Sequence, residues 1–118
     1  MEYAPTRNMI RASDVVVFCR NTSPQHAQAL RTVLDQKKPF IYDLDDNFFE
    51  ISTETPVGRY HRAEPQIRTL ETYLSSASLV RVYSSRVEQI VKKYNPQVAL
   101  VIPPIKWSFI RPRPLRLE

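Results

Sequence analysis

Three carboxylates follow a short apolar run, and they are the residues best placed to do chemistry. Asp43, Asp45 and Asp46 come directly after residues 39–42 (PFIY). Three acids within four residues repel one another unless a metal ion, an arginine or backbone amides absorb the charge. The pattern therefore indicates either a catalytic or ligand-binding cluster, or a turn in which Asp46 or Asn47 caps the segment that follows.

An apolar strand followed by Asp-x-Asp resembles the first motif of phosphohydrolases of the haloacid-dehalogenase type. This resemblance implies that Asp43 is a nucleophile and Asp45 a general acid/base, with Mg²⁺ between them. That family has Thr or Val where Asn47 stands, and a later acidic pair. The last 39 residues contain only two acids, Glu88 and Glu118, so the metal site would be incomplete and this reading is an alternative.

Two further acidic patterns are weaker. The receiver domains of signalling proteins need an acidic pair after their first strand, where this chain has Cys19, Arg20 and Asn21. The Asp-x-Asp of metal-dependent glycosyltransferases is matched literally by Asp43 and Asp45, but so short a motif often occurs by chance.

The counts of glycine and cysteine exclude several classes of site. One Gly among 118 residues excludes a P-loop and a dinucleotide-binding fingerprint. The single Cys19 excludes an internal disulfide and fits a reducing, cytoplasmic location; we expect it to be a small core residue. No resident cofactor and no metal site are predicted.

The net charge of +5 is unevenly distributed. Residues 35–54 contain six acids and two bases, whereas the excess of bases lies in the second half and in the tail. These bases are scattered and are not interleaved with aromatic residues as in nucleic-acid-binding motifs, so no nucleic-acid partner is predicted. No apolar run approaches the ~20 residues of a membrane span, and peripheral contact with an anionic membrane surface stays open.

Four short apolar runs predict the strands that position these residues: residues 14–19, 39–43, 79–84 and 98–102. They are rich in β-branched and aromatic residues, and the run at 15–18 lacks alternation, which is typical of strands buried on both faces. Between them, apolar stripes predict helices, one starting at Ser23-Pro24 and another ending near Ala77. Ser85 and Glu88 have the spacing of a capping box for a third helix.

Alternating strands and helices indicate right-handed crossovers and a parallel sheet. We predict a three-layer, Rossmann-like α/β unit over residues 1–104, with a mainly parallel sheet of about four strands. Residues 105–118, rich in Pro and Arg, are predicted to be an extended tail.

Several segments together resemble the N-terminal part of group 1 glycosyltransferases with the GT-B fold. They are residues 12–20 (ASDVVVFCR), 38–50 (KPFIYDLDDNFFE), His61, 74–84 (LSSASLVRVYS) and 101–103 (VIP). The resemblance implies transfer of a sugar from a nucleotide-sugar donor to an acceptor held in a cleft between two domains. It also implies that the donor is bound mainly by the C-terminal domain, so this chain is expected to be an acceptor-side fragment that is inactive alone.

The resemblance implies which residues form the site. The candidates for catalysis are Asp43, Asp45, Asp46 and His61. Those for acceptor-side or structural roles are Arg20, Phe48 and Phe49, and a guanidinium at Arg20 would hold the acidic turn if adjacent strands pair. His61 is expected in a loop, and Phe48 and Phe49 are more typical of packing.

The sequence leaves two expected partners and a second alternative function. The sugar acceptor of the parent enzyme is the first expected partner. Apolar surface left exposed would favour a homodimer. A non-catalytic α/β interaction module is the second alternative function, beside the phosphohydrolase.

Overall fold

A computed structural model of the chain describes residues 5–102, so the predicted tail lies outside the described residues. The strands are Val16–Cys19 (β1), Phe40–Leu44 (β2), Leu79–Val82 (β3) and Val98–Leu100 (β4). The helices are Arg7–Ala12 (α1), Gln28–Asp35 (α2), Pro56–Arg62 (α3), Glu64–Ser76 (α4) and Ser85–Val91 (α5), with a 3-10 turn at Pro24–His26. All four predicted strands are confirmed.

The strands form one parallel sheet in the order β1-β2-β3-β4. Val16 is opposite Phe40, Ile41 is opposite Leu79, and each strand pairs with the next one along the chain. The crossovers contain α2, α4 and α5, as parallel pairing requires. The predicted fold class, a Rossmann-like α/β unit with a four-stranded parallel sheet, is confirmed.

The core is a single apolar cluster on one face of the sheet. Alternate residues of β2, from Phe40 to Leu44, are buried on this face, and α2, α4 and α5 contribute apolar side chains to the same cluster. At its centre the ring of Tyr42 stacks on that of Tyr73, with 5.1 Å between centroids. Phe18 contacts Tyr73 edge-on, also at 5.1 Å, a geometry that aromatic pairs favour.

The second face of the sheet is less covered, most of all along β1. Val15 and Val17 are 48% and 50% exposed, so the prediction of burial on both faces is wrong for this strand. Cys19 is exposed as well, and its prediction as a core residue is wrong. In β1 Phe18 is buried in the core and Val16 packs against it, because side chains of a strand alternate between faces; Cys19 shares the second face with Val17.

Two predicted helix starts are shifted in the structure. Ser84, not Ser85, caps α5, because its side chain accepts a hydrogen bond from the Val87 amide at 3.2 Å. Glu88 lies beyond capping distance in the sequence and pairs with Lys92 at 3.7 Å. After Ser23-Pro24 the chain first makes the 3-10 turn, and α2 begins only at Gln28.

Candidate functional site

The carboxyl ends of β1 and β2 bring Arg20 to the acidic turn. The Arg20 amide donates to the carbonyl of Asp43 at 3.1 Å, which continues the ladder one residue past the strand. Its guanidinium donates from Nη2 to the Asp45 carboxylate at 2.6 Å, and Nε lies 2.5 Å from the same group. Two parallel contacts of this kind fix geometry as well as charge. The predicted pairing of Arg20 with the acidic turn is confirmed.

Asp43 is held by a different arginine. Arg81 is its direct neighbour across the β2–β3 ladder, and Arg81 Nη2 donates to Asp43 Oδ2 at 2.7 Å. A hydrogen bond with Asp43 also raises the pKa of Tyr83, since the carboxylate favours the protonated phenol. Within residues 5–102, the other oxygen, Asp43 Oδ1, is buried and has no hydrogen-bond partner. The Asp43 carboxylate therefore lies against the sheet beside Arg81 and does not project toward solvent.

Two further carboxylates of the turn after β2 are hydrogen-bonded, one to the next amide and one to an arginine of α5. Asp46 Oδ1 accepts the Asn47 amide at 2.9 Å. Glu50 accepts Arg86 Nε at 2.7 Å and Nη2 at 3.0 Å, and also the Asn47 side chain. These hydrogen bonds lower the pKa of Glu50 to about 2. The Asp46 carboxylate thus bonds to the amide of the next residue, one residue short of an Asx turn, and Asp46 itself stays exposed.

His61 lies in helix α3, so its expected place in a loop is wrong. Thr55 caps α3 by accepting the Gly58 amide at 3.0 Å, and Pro56 occupies the first turn. The Thr55-Pro56 pair was the sequence signal for this helix. Gly58 fits because a Cβ there would lie 1.7 Å from the Ser52 carbonyl oxygen.

The imidazole of His61 is fixed on two sides. Its Nδ1 lies 2.8 Å from the hydroxyl of Thr22, which is fully buried. Its ring stacks on Phe48 with a centroid distance of 4.0 Å and an interplanar angle of 13°. Contacts of this kind hold a side chain in one orientation, as a group that binds a ligand requires.

The two phenylalanines of the turn are packing residues. Phe48 is 3% exposed and supports His61 from beneath. Phe49 is partly buried and stacks on Tyr94, with 5.6 Å between centroids. Direct stacking of Phe49 on a ligand in the groove described next is not supported, because Phe49 is not among the residues that line it.

A groove of about 700 Å³ lies beside these residues. It brings together four of the predicted site residues, which are Arg20, Asp46, Phe48 and His61. Asp43 and Asp45 do not line it. Its polar end thus combines a guanidinium, an exposed carboxylate and an imidazole edge, while Val17 and Val57 supply apolar surface. This mixture suits a ligand that has hydroxyl groups and an apolar face.

Cys19 also lines the groove. Partial burial raises the pKa of its thiol above the ordinary value, and the nearby carboxylates of Asp43 and Asp45 raise it further. The thiol is therefore protonated at neutral pH, which makes it a weak nucleophile.

Sequence reasoning missed Thr22, Val57 and Arg81. Thr22 bonds to His61, and Val57 lines the same groove as Val17. Both placements join residues far apart in the sequence, which no local motif announces. The position of Arg81 could have been predicted, because in-register pairing of neighbouring parallel strands places it beside Asp43.

No group of three His, Cys, Asp or Glu side chains in residues 5–102 is arranged to hold a metal ion. In the same residues, no helix combines the length and the apolar character needed to cross a membrane. No protein-family model, curated protein or solved structure matches the chain.

Proposed function

We propose that this chain forms the acceptor-binding side of a glycosyltransferase that uses a nucleotide-sugar donor. The observation that carries the proposal is the polar end of the groove, just past the carboxyl end of β1, where Arg20, Asp46 and His61 lie beside apolar surface. Ligands of open parallel sheets bind at this end of the strands. The resemblance of the segments around residues 38–50 and 74–84 to group 1 glycosyltransferases supports the same assignment.

In this proposal the groove binds a sugar through both of its surfaces. The exposed carboxylate of Asp46 and the imidazole of His61 contact acceptor hydroxyl groups, and Val57 packs on the apolar face of the ring. Thr22 and Phe48 act as positioning residues, because they fix the imidazole. Asp43 and Asp45 hold the turn through their arginines and contact no sugar.

The donor's nucleotide is assigned to a part of the enzyme other than this groove. One Gly in the sequence leaves no phosphate-binding loop of the known glycine-rich kinds. The chain alone is therefore expected to bind acceptor without transferring sugar to it.

The phosphohydrolase alternative is less well supported by the geometry. Its nucleophile would be Asp43, but one oxygen of that carboxylate is bonded to Arg81 and the other is buried. Its acid/base would be Asp45, which is paired with Arg20. An Arg-bound carboxylate must break its ion pair before it can bind a cation or attack a phosphorus atom.

A titration followed by NMR of backbone amides tests the proposal. Mono- and oligosaccharides should shift the amides of Arg20, Asp46 and His61, whereas UDP alone should leave them unchanged. His61→Gln should weaken saccharide binding about tenfold, as expected for one lost hydrogen bond to a fixed group. His26→Gln is the matched control, because His26 is exposed at the 3-10 turn.

Two results would contradict the proposal. One is the absence of any saccharide-dependent shift at these amides. The other is Mg²⁺-dependent hydrolysis of p-nitrophenyl phosphate that Asp43→Asn abolishes, which would establish the phosphohydrolase instead.

A further inference from the structure

Large apolar side chains that the fold leaves exposed are gathered along one groove. Four of them are 46% to 55% exposed, and all four line the groove beside β1: Met9, Val15, Val17 and Val57. They belong to α1, to β1 and the residue before it, and to α3, so tertiary packing brings them together. Single apolar residues scattered over a surface are ordinary, whereas a concave site with apolar walls and a few polar groups is the usual form of a ligand site. The apolar wall of this groove is therefore a candidate binding surface.

The charged groups of the groove lie at one end of it. Among its lining residues, Arg20 and Asp46 carry a charge at neutral pH, and both lie with His61 past the carboxyl end of β1. Val15 lies before the start of the same strand, on the other side of its residues from Arg20. An extended chain advances about 3.3 Å per residue, so Val15 and Arg20 are about 16 Å apart. The groove thus has a polar end and an apolar end.

The apolar end offers little to a polar ligand. In the described part of the chain, no charged side chain that precedes Arg20 lines the groove. The hydroxyl of Ser13 donates to the carbonyl of Met9 at 2.7 Å, so the polar side chain at this end uses its hydrogen within the chain. Val15 and Val17 are two residues apart in extended backbone, which puts their side chains on the same face. A hydrocarbon chain is the ligand that gains most from such a wall.

The charges near the polar end leave one negative charge in excess. The Arg20 guanidinium is paired with Asp45. The Asp46 carboxylate accepts the Asn47 amide, and within residues 5–102 no cation forms an ion pair with it. One guanidinium and two carboxylates therefore repel an anionic head group such as a phosphate. An uncharged head group with hydroxyl groups fits this end, because a carboxylate accepts hydrogen bonds from hydroxyls.

We propose that the acceptor is a neutral amphiphile, an uncharged sugar joined to a hydrocarbon chain. Its sugar lies at the end of the groove with Asp46 and His61, and its chain lies on Met9, Val15 and Val17. The inference rests on the proposed function, from which it takes the position of the sugar. A free sugar would leave the apolar end in contact with water, whereas an attached chain covers it, and removal of apolar surface from water favours binding.

The first experiment compares methyl β-D-glucoside with n-octyl β-D-glucoside below its micelle-forming concentration, by NMR titration of the backbone amides. Both should shift the amides of Asp46 and His61, and the octyl compound alone should also shift those of Met9, Val15 and Val17. We expect the octyl compound to bind at least about tenfold more tightly, which is the gain supplied by burial of two methylene groups.

A second pair of probes tests the charge of the head group. n-Octyl β-D-glucuronide has the same chain and the same ring but carries a carboxylate. It should bind several-fold more weakly than n-octyl β-D-glucoside, because Asp46 has no cation paired with it in the described residues and repels a second carboxylate. The difference should shrink at high salt, as expected for exposed charges.

Variants of the apolar end separate the chain from the sugar. Met9→Ser combined with Val15→Ser should reduce the tenfold preference for the octyl compound to less than about threefold, and should leave the affinity for methyl glucoside unchanged. The matched control is Leu34→Ser combined with Leu100→Ser. Both leucines are 42% exposed and neither lines the groove, so the control should keep the full preference. Circular dichroism checks that each double variant is folded.

A measurement on the unchanged chain tests the same contact without any substitution. Intermolecular nuclear Overhauser effects should connect the octyl chain protons to the methyl groups of Val15 and Val17. The ring protons of the same ligand should instead give effects to the ring protons of His61. This pattern fixes which end of the ligand lies at which end of the groove.

The outcomes distinguish a failure of this inference from a failure of the proposed function. Shifts of Asp46 and His61 with equal affinity for the methyl and octyl compounds would overturn the amphiphilic acceptor and leave sugar binding intact. The inference is also overturned by a serine double variant that keeps the full preference, by a glucuronide that binds as tightly as the glucoside, or by contacts of the octyl chain elsewhere. No shift with either glucoside would contradict the proposed function, and this inference with it.

Discussion

The acidic turn and the β1 edge differ in how far their side chains are paired or buried within the chain. The carboxylates of Asp43, Asp45 and Glu50 each bond to an arginine supplied by a neighbouring element. Val15 and Val17, by contrast, stay about half exposed within the described part of the chain. The cluster that looked reactive in the sequence is therefore neutralised by the fold. The run that looked like ordinary core instead leaves two of its valines about half exposed.

The largest expected effect comes from Gly58→Ala, in helix α3, which carries the His61 of the groove. The added Cβ would lie 1.7 Å from the Ser52 carbonyl oxygen, so α3 or the preceding turn must move. We expect a loss of about 1–3 kcal/mol, as for other overpacking substitutions, and a displaced His61. Urea unfolding measures the loss. Arg31→Ala, exposed on α2, is the control and should change stability by less than about 0.5 kcal/mol. An unchanged midpoint for Gly58→Ala would show that α3 does not pack on Ser52.

The next prediction compares the contributions of the two ion pairs of the acidic turn to stability. Asp43→Asn leaves Arg81 without its counter-charge, in a pair whose side chains are only 37% (Arg81) and 14% (Asp43) exposed. We expect a loss of about 1–3 kcal/mol. Asp45→Asn breaks a pair whose side chains are 33% and 55% exposed, and should cost no more than about 1 kcal/mol. Equal losses in denaturant unfolding would mean that burial does not distinguish the pairs.

The strands and their parallel sheet could be predicted because short β-branched runs between helical patterns leave few other structures. Val15 to Phe18 and the run at residues 98–102 each fall where the sheet has a strand. The position of Arg20 beside the acidic turn also followed, since adjacent parallel strands end at the same edge. Local composition was sufficient for both.

The exposure of Cys19 and the placement of His61 could not be predicted in the same way. Cys19 follows Phe18 directly, and which of the two faces the core depends on where the crossover helices pack. His61 reaches the groove because α3 brings its ring to the hydroxyl of Thr22, a residue 39 positions earlier in the chain. Both are consequences of tertiary packing, and single-residue preferences carry no information about it.

A smaller effect concerns acid stability and the ion pair of Glu50. Its pKa is lowered to about 2 in the folded chain, below the ordinary value near 4.3 in an unfolded one. The contribution of Glu50 to stability is therefore present above pH ~4.3 and is lost as the pH falls toward 2. Glu50→Gln should flatten the fall in the free energy of unfolding across this range. NMR titration of the carboxyl carbon checks the pKa, and an ordinary value would refute the pairing with Arg86.

The smallest effect is kinetic and concerns the thiol on the groove. Because partial burial and two carboxylates raise the pKa of Cys19, alkylation by iodoacetamide at pH 7.5 should be several-fold slower than in the urea-unfolded chain. The pH at half-maximal rate should lie above that of the unfolded control. A folded chain that reacts as fast as the unfolded one would show that the carboxylates do not influence the thiol.

The order of the strands also affects how the domain can assemble. Each strand pairs with the one made just before it, so during synthesis every new strand meets an edge that already exists. The sheet can grow in one direction, by addition of one crossover at a time, with no need to insert a late strand between two early ones. Deletion of β4 would remove a terminal strand and leave the pairing of β1, β2 and β3 intact, whereas deletion of β2 would divide the sheet.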